Sequence, residues 1–91
     1  MGVIERVRLT VMGRVQGVGY RMSCAHEAKA IGVVGSVRNL SDGRVEVIAE
    51  GTREQLDALA AWCAEGPQFA SVRQVDRVAD TPVGESSFTI R

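Results

Sequence analysis

The strongest structural signal in this chain is a β-hairpin over residues 33–50. The run "VVGSVRN" leads into a short polar stretch, "LSDGR", and "VEVIAE" then places apolar residues at every second position. Asp42-Gly43 supplies residue types that tolerate the positive φ angles of a tight turn. Alternation predicts a strand that buries one face, here with Val45 and Val47 inward. A hairpin with one apolar face needs a larger sheet and a covering layer.

A strand and a helix are predicted before the hairpin. Residues 4–12, "IERVRLTVM", alternate between apolar and polar side chains, which is typical of a half-buried strand. A helix is predicted over residues 21–31, and Gly32 follows it as a helix-ending glycine should. The predicted apolar stripe of this helix consists of Met22, Cys24, Ala25, Ala28 and Ile31.

A second helix and two strands are predicted after the hairpin. Thr52 and Gln55 have the spacing of a capping box, and Gly66-Pro67 ends the helix that they begin. The apolar stripe of this helix consists of Leu56, Leu59, Ala60 and Cys63. The stretch "ASVRQVDRV" does not alternate strictly, which predicts an irregular strand with a bulge. "SFTIR" forms a short last strand, with Phe88 and Ile90 on one face.

The order of elements is βαββαβ plus a short C-terminal strand, which predicts an α+β, ferredoxin-like sandwich. We expect an antiparallel sheet with both helices on one face, in a single domain that spans residues 1–91. The opposite face is expected to be largely wet. It would carry Arg6, Arg8, Thr10, Glu46, Ile48 and Glu50.

Charge and composition argue against several classes of partner. Eleven basic and eleven acidic residues give a net charge of zero, without the basic surplus of a nucleic-acid-binding protein. RNA-recognition domains share this topology but carry stacking aromatics centrally on the open sheet face, and this chain has none there. No apolar run approaches the roughly 18 residues of a membrane span. The charged N-terminus does not resemble a signal peptide, so we expect a cytoplasmic protein.

The chain has few residues that could hold a metal ion. It contains one histidine, His26, and two cysteines, Cys24 and Cys63, which form no CxxC motif. A tetrahedral site takes about four ligands, so we expect no metal. One histidine in a helix also provides no Ser-His-Asp set. Both cysteines fall in predicted helices and are expected to act as small apolar residues, unpaired in a reducing cytoplasm.

The stretch "GRVQGVGYR", residues 13–21, lies between the first strand and the first helix. Glycines there would let main-chain N–H groups point toward an anion at the helix N-terminus. Arg21 could add a bidentate hydrogen bond to a phosphate. The spacing alone favours a plain turn over an anion site, since glycines often only punctuate structure. Asn39 has the same two interpretations, because asparagine often starts turns and can also position a water or a substrate.

"GRVQGVGYR", followed by "GSVRNLSDGRVEV" and "GPQFASVRQV", resembles the acylphosphatase family over about residues 5–90. The resemblance implies hydrolysis of the carboxyl–phosphate bond of small acyl phosphates without a cofactor or a metal. It implies Arg21 as the catalytic arginine and Asn39 as the residue that positions water. It also implies a phosphate-binding loop whose main-chain N–H groups come from Arg14, Val15, Gln16, Gly17, Val18, Gly19 and Tyr20.

This chain departs from the family pattern at Ser36, where an aromatic residue is frequent; we expect a packing difference or a changed substrate approach there. Tyr20 in place of phenylalanine needs a partner for its hydroxyl group. Two alternatives stay open: a ligand-binding module that keeps the loop without needing Asn39, and a domain of a larger carbamoyl-transfer protein. We expect a free-standing, monomeric enzyme that tolerates many acyl groups.

Overall fold

The computed structural model describes residues 2–91. Within that range the elements follow the predicted order. They are β1 (Glu5–Arg14), α1 (Tyr20–Ile31), β2 (Val34–Asn39), β3 (Val45–Gly51), α2 (Arg53–Glu65), β4 (Ser71–Asp80) and β5 (Phe88–Ile90). The local signals that predicted the helix ends are present. Gly32 has a left-handed conformation after α1, and Thr52 and Gln55 form both bonds of a capping box at α2.

The strands form one mixed sheet in the order β4-β1-β3-β2-β5. The pairs β4–β1, β1–β3 and β3–β2 are antiparallel, as predicted. The last strand, β5, pairs with β2 in parallel, so the expectation of a wholly antiparallel sheet is wrong at this edge. The cause is the connection: residues 81–87 carry the chain from β4 at one edge of the sheet to β5 at the other.

Both helices pack on the same face of the sheet and against each other. The predicted stripe of α2 is confirmed: Leu56, Leu59 and Cys63 are fully buried, and Ala60 is partly buried against the core. The predicted stripe of α1 is partly wrong, because Met22 is 74% exposed. The core side of α1 is centred instead on Tyr20, Cys24, Ala25 and Ala28. Met22 follows Tyr20 by two residues, which at helical spacing turns it away from the sheet.

The face of the sheet opposite the helices is not uniformly exposed to solvent. Glu50 points to that face as predicted but is only 2% exposed, so its predicted exposure is wrong. Residues 81–87 cross over it, and the main-chain N–H groups of Val83, Gly84 and Glu85 donate to its carboxylate. Arg6, its cross-strand partner, donates from Nη1 at 2.7 Å. The crossing segment is thereby fixed to the centre of the sheet.

The irregularity predicted for β4 is present. The register between β1 and β4 shifts between Met12 and Gly13, as in a bulge. Gly13 has φ +129°, and a Cβ there would run into the main-chain oxygen of Ser71. Only glycine allows the strands to approach this closely where β1 leads into the loop.

The topology brings three segments to one end of the sheet. β1 and β2 both run antiparallel to β3, and β5 runs parallel to β2, so the three strands end on the same side. The loop at residues 15–19 follows β1, Asn39 ends β2, and Arg91 follows β5. The predicted loop and the predicted asparagine therefore lie near each other, although β3 separates their strands.

Candidate active site

A cavity of about 230 Å³ opens at this end of the sheet. It is bounded by the loop after β1, the first turn of α1, the end of β2 and the short strand β5. The residues that line it are Val15, Gly17, Gly19, Tyr20, Arg21, Met22, Asn39 and Ile90. The structure thus brings together Arg21, Asn39 and four members of the predicted phosphate loop.

Two buried side chains anchor the loop at its ends. Val15 and Tyr20 are each 1% exposed and belong to the core. The hydroxyl group of Tyr20 donates to the main-chain oxygen of Cys63 at 2.8 Å, which provides the partner that a buried tyrosine needs. Burial raises the pKa of the Tyr20 phenol, and the neighbouring Cys63 raises it further, so the hydroxyl remains a donor. Residues 16–19, between these two buried side chains, are therefore restricted in the positions they can adopt.

The glycines of the loop are required by conformation. Gly17 has φ +74° and Gly19 has φ +76°, in the left-handed region that favours glycine. A Cβ at either position would meet open space, so steric crowding is not the reason for glycine. Gly19 is also the N-cap of α1, and it offers no side chain to cap the helix. The turn into the helix therefore leaves its N-terminus uncovered.

The main-chain N–H groups at the turn into α1 have no acceptor in the part of the chain that the structure describes. The N–H of Ser23 bonds to the oxygen of Gly19 at 3.1 Å and begins the helical pattern. Among residues 2–91, the N–H groups of residues 16–22 donate no hydrogen bond. Unpaired N–H groups and the positive end of the helix dipole favour a negatively charged ligand here.

Arg21 is held at the cavity by the end of the chain. Its Nη1 donates to the main-chain oxygen of Arg91 at 3.0 Å. The N–H of Arg91 in turn donates to the oxygen of Val37 at 2.8 Å, which continues the pairing between β5 and β2. The guanidinium position therefore depends on β5, a strand far from Arg21 in sequence.

Asn39 ends β2 and is paired across the hairpin with Val45. It is exposed, and within residues 2–91 its side-chain amide forms no hydrogen bond. A neutral amide that lines the cavity and keeps its donor and acceptor groups unpaired can bind a water molecule or a substrate. Its main chain is held by this pairing in the hairpin.

Three members of the predicted loop do not line the cavity with their side chains. Arg14 is exposed opposite Ser71, Val18 packs against the core, and the amide of Gln16 bonds to the hairpin turn. The implied role of these residues uses main-chain N–H groups and stays a prediction.

Sequence reasoning missed Met22 and Ile90 on the cavity lining and the contact from Arg91. No local pattern indicates Ile90 and Arg91, because their positions depend on where β5 pairs. Met22 was missed because its spacing predicted the core side of α1.

Other reactive side chains lie away from this cavity. His26 is exposed, and both thiols are free and buried. A hydrogen bond with Cys63, together with burial, raises the pKa of the Cys24 thiol, which disfavours the thiolate. No group of three or more candidate metal ligands occurs within residues 2–91. In the same range no helix is long and apolar enough to cross a membrane.

Ser36, where the family often has an aromatic residue, lies on β2 between Ile48 of β3 and Thr89 of β5. It is 8% exposed and does not line the cavity. This position favours the first of the two expected effects, a packing difference in the sheet beside the site, which stays a prediction.

Comparison with known proteins identifies close relatives. The family model described as Acylphosphatase matches residues 7–90. An acylphosphatase of Methylococcus capsulatus is 55% identical over 73 residues, which cover 80% of this chain and 79% of the relative. One of Thermococcus kodakarensis is 45% identical over 85 residues, or 93% of each chain. The structure of an acylphosphatase from Coxiella burnetii superposes with a TM-score of 0.93 at 36% identity, over 97% of this chain and 93% of that one.

Proposed function

This chain belongs to the acylphosphatase family of acyl phosphate hydrolases, and from that premise we propose how its residues divide the reaction. The main-chain N–H groups of the loop at residues 14–20 bind the substrate phosphate, together with the guanidinium of Arg21. Asn39 positions the attacking water. The observation that supports this proposal best is the set of unpaired N–H groups at residues 16–22, beside a cavity lined by Arg21 and Asn39.

The proposed reaction breaks the bond between phosphorus and the bridging oxygen of RCO–OPO₃²⁻. A carboxylate is a good leaving group, so no strong general acid is needed. Phosphoryl transfer then depends mainly on positioning and on stabilising the charge of the non-bridging oxygens. Arg21 and the loop N–H groups provide this stabilisation in a fixed arrangement, with little reorganisation as the charge shifts.

Asn39 accepts a hydrogen bond from the attacking water and aligns it opposite the leaving carboxylate. An amide is too weak a base to take the proton of that water. The proton passes instead to an oxygen of the substrate phosphate, and the products are a carboxylate and inorganic phosphate. The site therefore requires one cation, one neutral amide and a set of main-chain donors. Arg21, Asn39 and the loop residues on the cavity lining can supply these groups.

The test compares two substrates that share a phosphate but differ in leaving group. We expect the purified protein to release phosphate from benzoyl phosphate and to leave phenyl phosphate intact, since the phenolate is the poorer leaving group. Equal hydrolysis of both compounds would contradict the proposed reaction class. Binding of phosphate without hydrolysis of benzoyl phosphate would favour the ligand-binding module instead.

The site proposed here is built from one chain, so we propose that the protein acts as a monomer on a small-molecule substrate. We propose the cytoplasm as its compartment, since Cys24 and Cys63 are free, as thiols are in a reducing environment. Sedimentation equilibrium tests the first statement, and fractionation of cells that express the tagged chain tests the second. A sedimenting mass of two chains would contradict the monomer.

A further inference from the structure

The side chain of Gln16 connects the two loops that form the proposed site. Its Nε2 donates to the main-chain oxygen of Leu40 at 2.8 Å and to that of Arg44 at 2.9 Å. These two oxygens lie at the two ends of the hairpin turn that follows Asn39. Gln16 itself lies in the predicted phosphate loop and is half-buried.

The chemistry of this contact specifies a primary amide. An NH₂ group carries two donors, and here each donor has a main-chain oxygen to bind. Because both partners are acceptors, the NH₂ group and not the carbonyl group of Gln16 must face the turn. A carboxylate of the same length would face two oxygens without a donor, and an aliphatic side chain would form neither bond.

Among residues 2–91, Gln16 provides the only side-chain hydrogen bonds that reach this turn from outside it. Its own main-chain bonds run from the N–H of Leu40 to the oxygen of Arg44 at 2.8 Å, and from the N–H of Gly43 to the oxygen of Leu40 at 3.2 Å. Within the turn, the carboxylate of Asp42 also accepts from the N–H and the Nε of Arg44. The three residues at its tip, Ser41, Asp42 and Gly43, are exposed. Since a carbonyl oxygen can accept two hydrogen bonds, Gln16 adds to the turn without displacing its internal bonds.

Asn39 lies directly before this turn. Its side chain has no hydrogen-bond partner within residues 2–91, so only its main chain fixes where the amide points. On the other side, Val15 anchors the phosphate loop in the core directly before Gln16. The contact of Gln16 thus fixes the distance between the proposed phosphate donors and the proposed water-positioning amide.

We infer that Gln16 is a positioning residue, which acts on catalysis through Asn39 and not through the substrate. The inference rests on the proposed function, because it assumes that Asn39 aligns the attacking water. The side chain of Gln16 does not line the cavity, and both of its amide hydrogens already have partners. Its main-chain N–H remains available to the phosphate whatever its side chain is.

The test is a double-mutant cycle with Gln16→Met and Asn39→Ala, in which acetyl phosphate hydrolysis and inhibition by inorganic phosphate are measured. Methionine keeps an unbranched side chain of similar length but has no donor. Because misplacement by about 1 Å can cost about 10²-fold, we expect Gln16→Met to lower kcat by about 10-fold. The inhibition constant of phosphate should change by less than about twofold, since the main-chain donors and Arg21 remain. In the Asn39→Ala background, Gln16→Met should have almost no effect on kcat.

Gln74→Met is the matched control. Gln74 lies exposed on β4, and within residues 2–91 its side chain bonds only to that of Asp76, so its replacement should leave kcat unchanged. Gln16→Asn is a second variant in case methionine disturbs the fold. The asparagine side chain is one methylene shorter, so its amide cannot reach the oxygens of both Leu40 and Arg44. It should show the same loss of kcat.

Three results would overturn the inference. One is that Gln16→Met lowers kcat by the same factor in the unaltered protein and in the Asn39→Ala variant. Another is weaker phosphate inhibition with kcat intact, which would assign Gln16 to phosphate binding. The third is an unchanged kcat in a folded Gln16 variant. If Asn39→Ala alone leaves kcat unchanged, the proposed role of Asn39 fails together with the inference about Gln16. If Asn39→Ala lowers kcat as expected, only the inference about Gln16 can fail.

Discussion

The guanidinium of Arg21 and the main-chain oxygen of Arg91 are joined by a hydrogen bond of 3.0 Å. This bond holds the cation at the rim of the cavity through the last strand of the sheet. A guanidinium group has several N–H donors in a planar fork, so the contact leaves others for a phosphate. The arrangement restricts the rotamers of a long, flexible side chain before the substrate arrives, which lowers the entropy cost of binding.

The first prediction concerns the charge of Arg21. Arg21→Ala should lower kcat/KM for acetyl phosphate by at least about 10²-fold, because among the described residues Arg21 is the only side-chain cation on the cavity lining. Arg21→Lys should recover part of the loss, since it restores the charge without the fork. Phosphate inhibition should weaken in both variants. Steady-state kinetics measures kcat/KM and the inhibition constant, and circular dichroism checks that each variant is folded. Near-normal hydrolysis by Arg21→Ala would refute the catalytic role of Arg21.

The second prediction separates binding from alignment. Asn39→Ala should lower kcat by about 10²-fold, the cost of a misplaced reactant, with phosphate inhibition almost unchanged. Ser41→Ala, in the exposed turn next to Asn39, is the control and should behave like the unaltered protein. A weaker affinity for phosphate at constant kcat would instead show that Asn39 binds the substrate.

The third prediction concerns the shape of the loop. Gly17 and Gly84 have similar positive φ angles, +74° and +80°, and a Cβ at either position would meet nothing within 4 Å. Alanine at either site should therefore cost a similar amount of stability, about 1–2 kcal/mol. Only Gly17→Ala should also weaken phosphate inhibition, because it shifts N–H groups in the loop. Unfolding in urea followed by the fluorescence of Trp62 measures stability, and equal inhibition constants in the two variants would contradict the role of the loop.

The hairpin, both helices and the glycine loop could be predicted because each has a local cause. Asp42-Gly43 specifies a turn, Thr52 and Gln55 specify a helix start, and Gly32 specifies a helix end. These signals depend on neighbours within a few residues, so the sequence alone carries them. Their order was enough to predict the arrangement of the first four strands.

The last strand and the burial of Glu50 could not be predicted in this way. Residues 81–87 have no periodic pattern that indicates a path across the sheet, and that path decides both the parallel pairing of β5 and the cover over Glu50. The contact of Gln16 with the turn likewise joins residues distant in sequence. Met22 was assigned to the wrong side of α1 because a small error in helical phase moves a residue from the core to solvent.

The fourth prediction concerns metal ions. The proposed mechanism stabilises the phosphate with main-chain N–H groups and a guanidinium, so hydrolysis of acetyl phosphate should be unchanged after dialysis against EDTA. Adding back Mg²⁺ or Zn²⁺ should not increase the rate beyond that of the untreated protein. The measurement is the rate of phosphate release before and after chelation, and a loss of rate that a metal restores would require a different mechanism.

The last prediction concerns the buried carboxylate of Glu50 and the stability of the protein in acid. Burial by itself raises the pKa of Glu50, but the N–H of Val83, the guanidinium of Arg6 and two further N–H groups outweigh it. The net effect lowers the pKa from 4.5 to about 2. A lowered folded-state pKa means that the ionised form stabilises the fold. This contribution is complete above the unfolded value of 4.5 and is lost as the pH falls toward about 2.

Glu50→Gln should therefore lower the free energy of unfolding at pH 7 by about 2 kcal/mol, since a neutral amide binds the N–H groups and Arg6 less strongly. The difference from the unaltered protein should narrow below pH 4.5 and nearly vanish at about pH 2, where Glu50 itself becomes neutral. Glu65→Gln, at an exposed position, should stay within about 0.5 kcal/mol of the unaltered protein. Urea unfolding between pH 7 and pH 2 measures all three proteins. A difference between Glu50→Gln and the unaltered protein that does not change with pH would show that the stabilisation comes from packing and not from the charge.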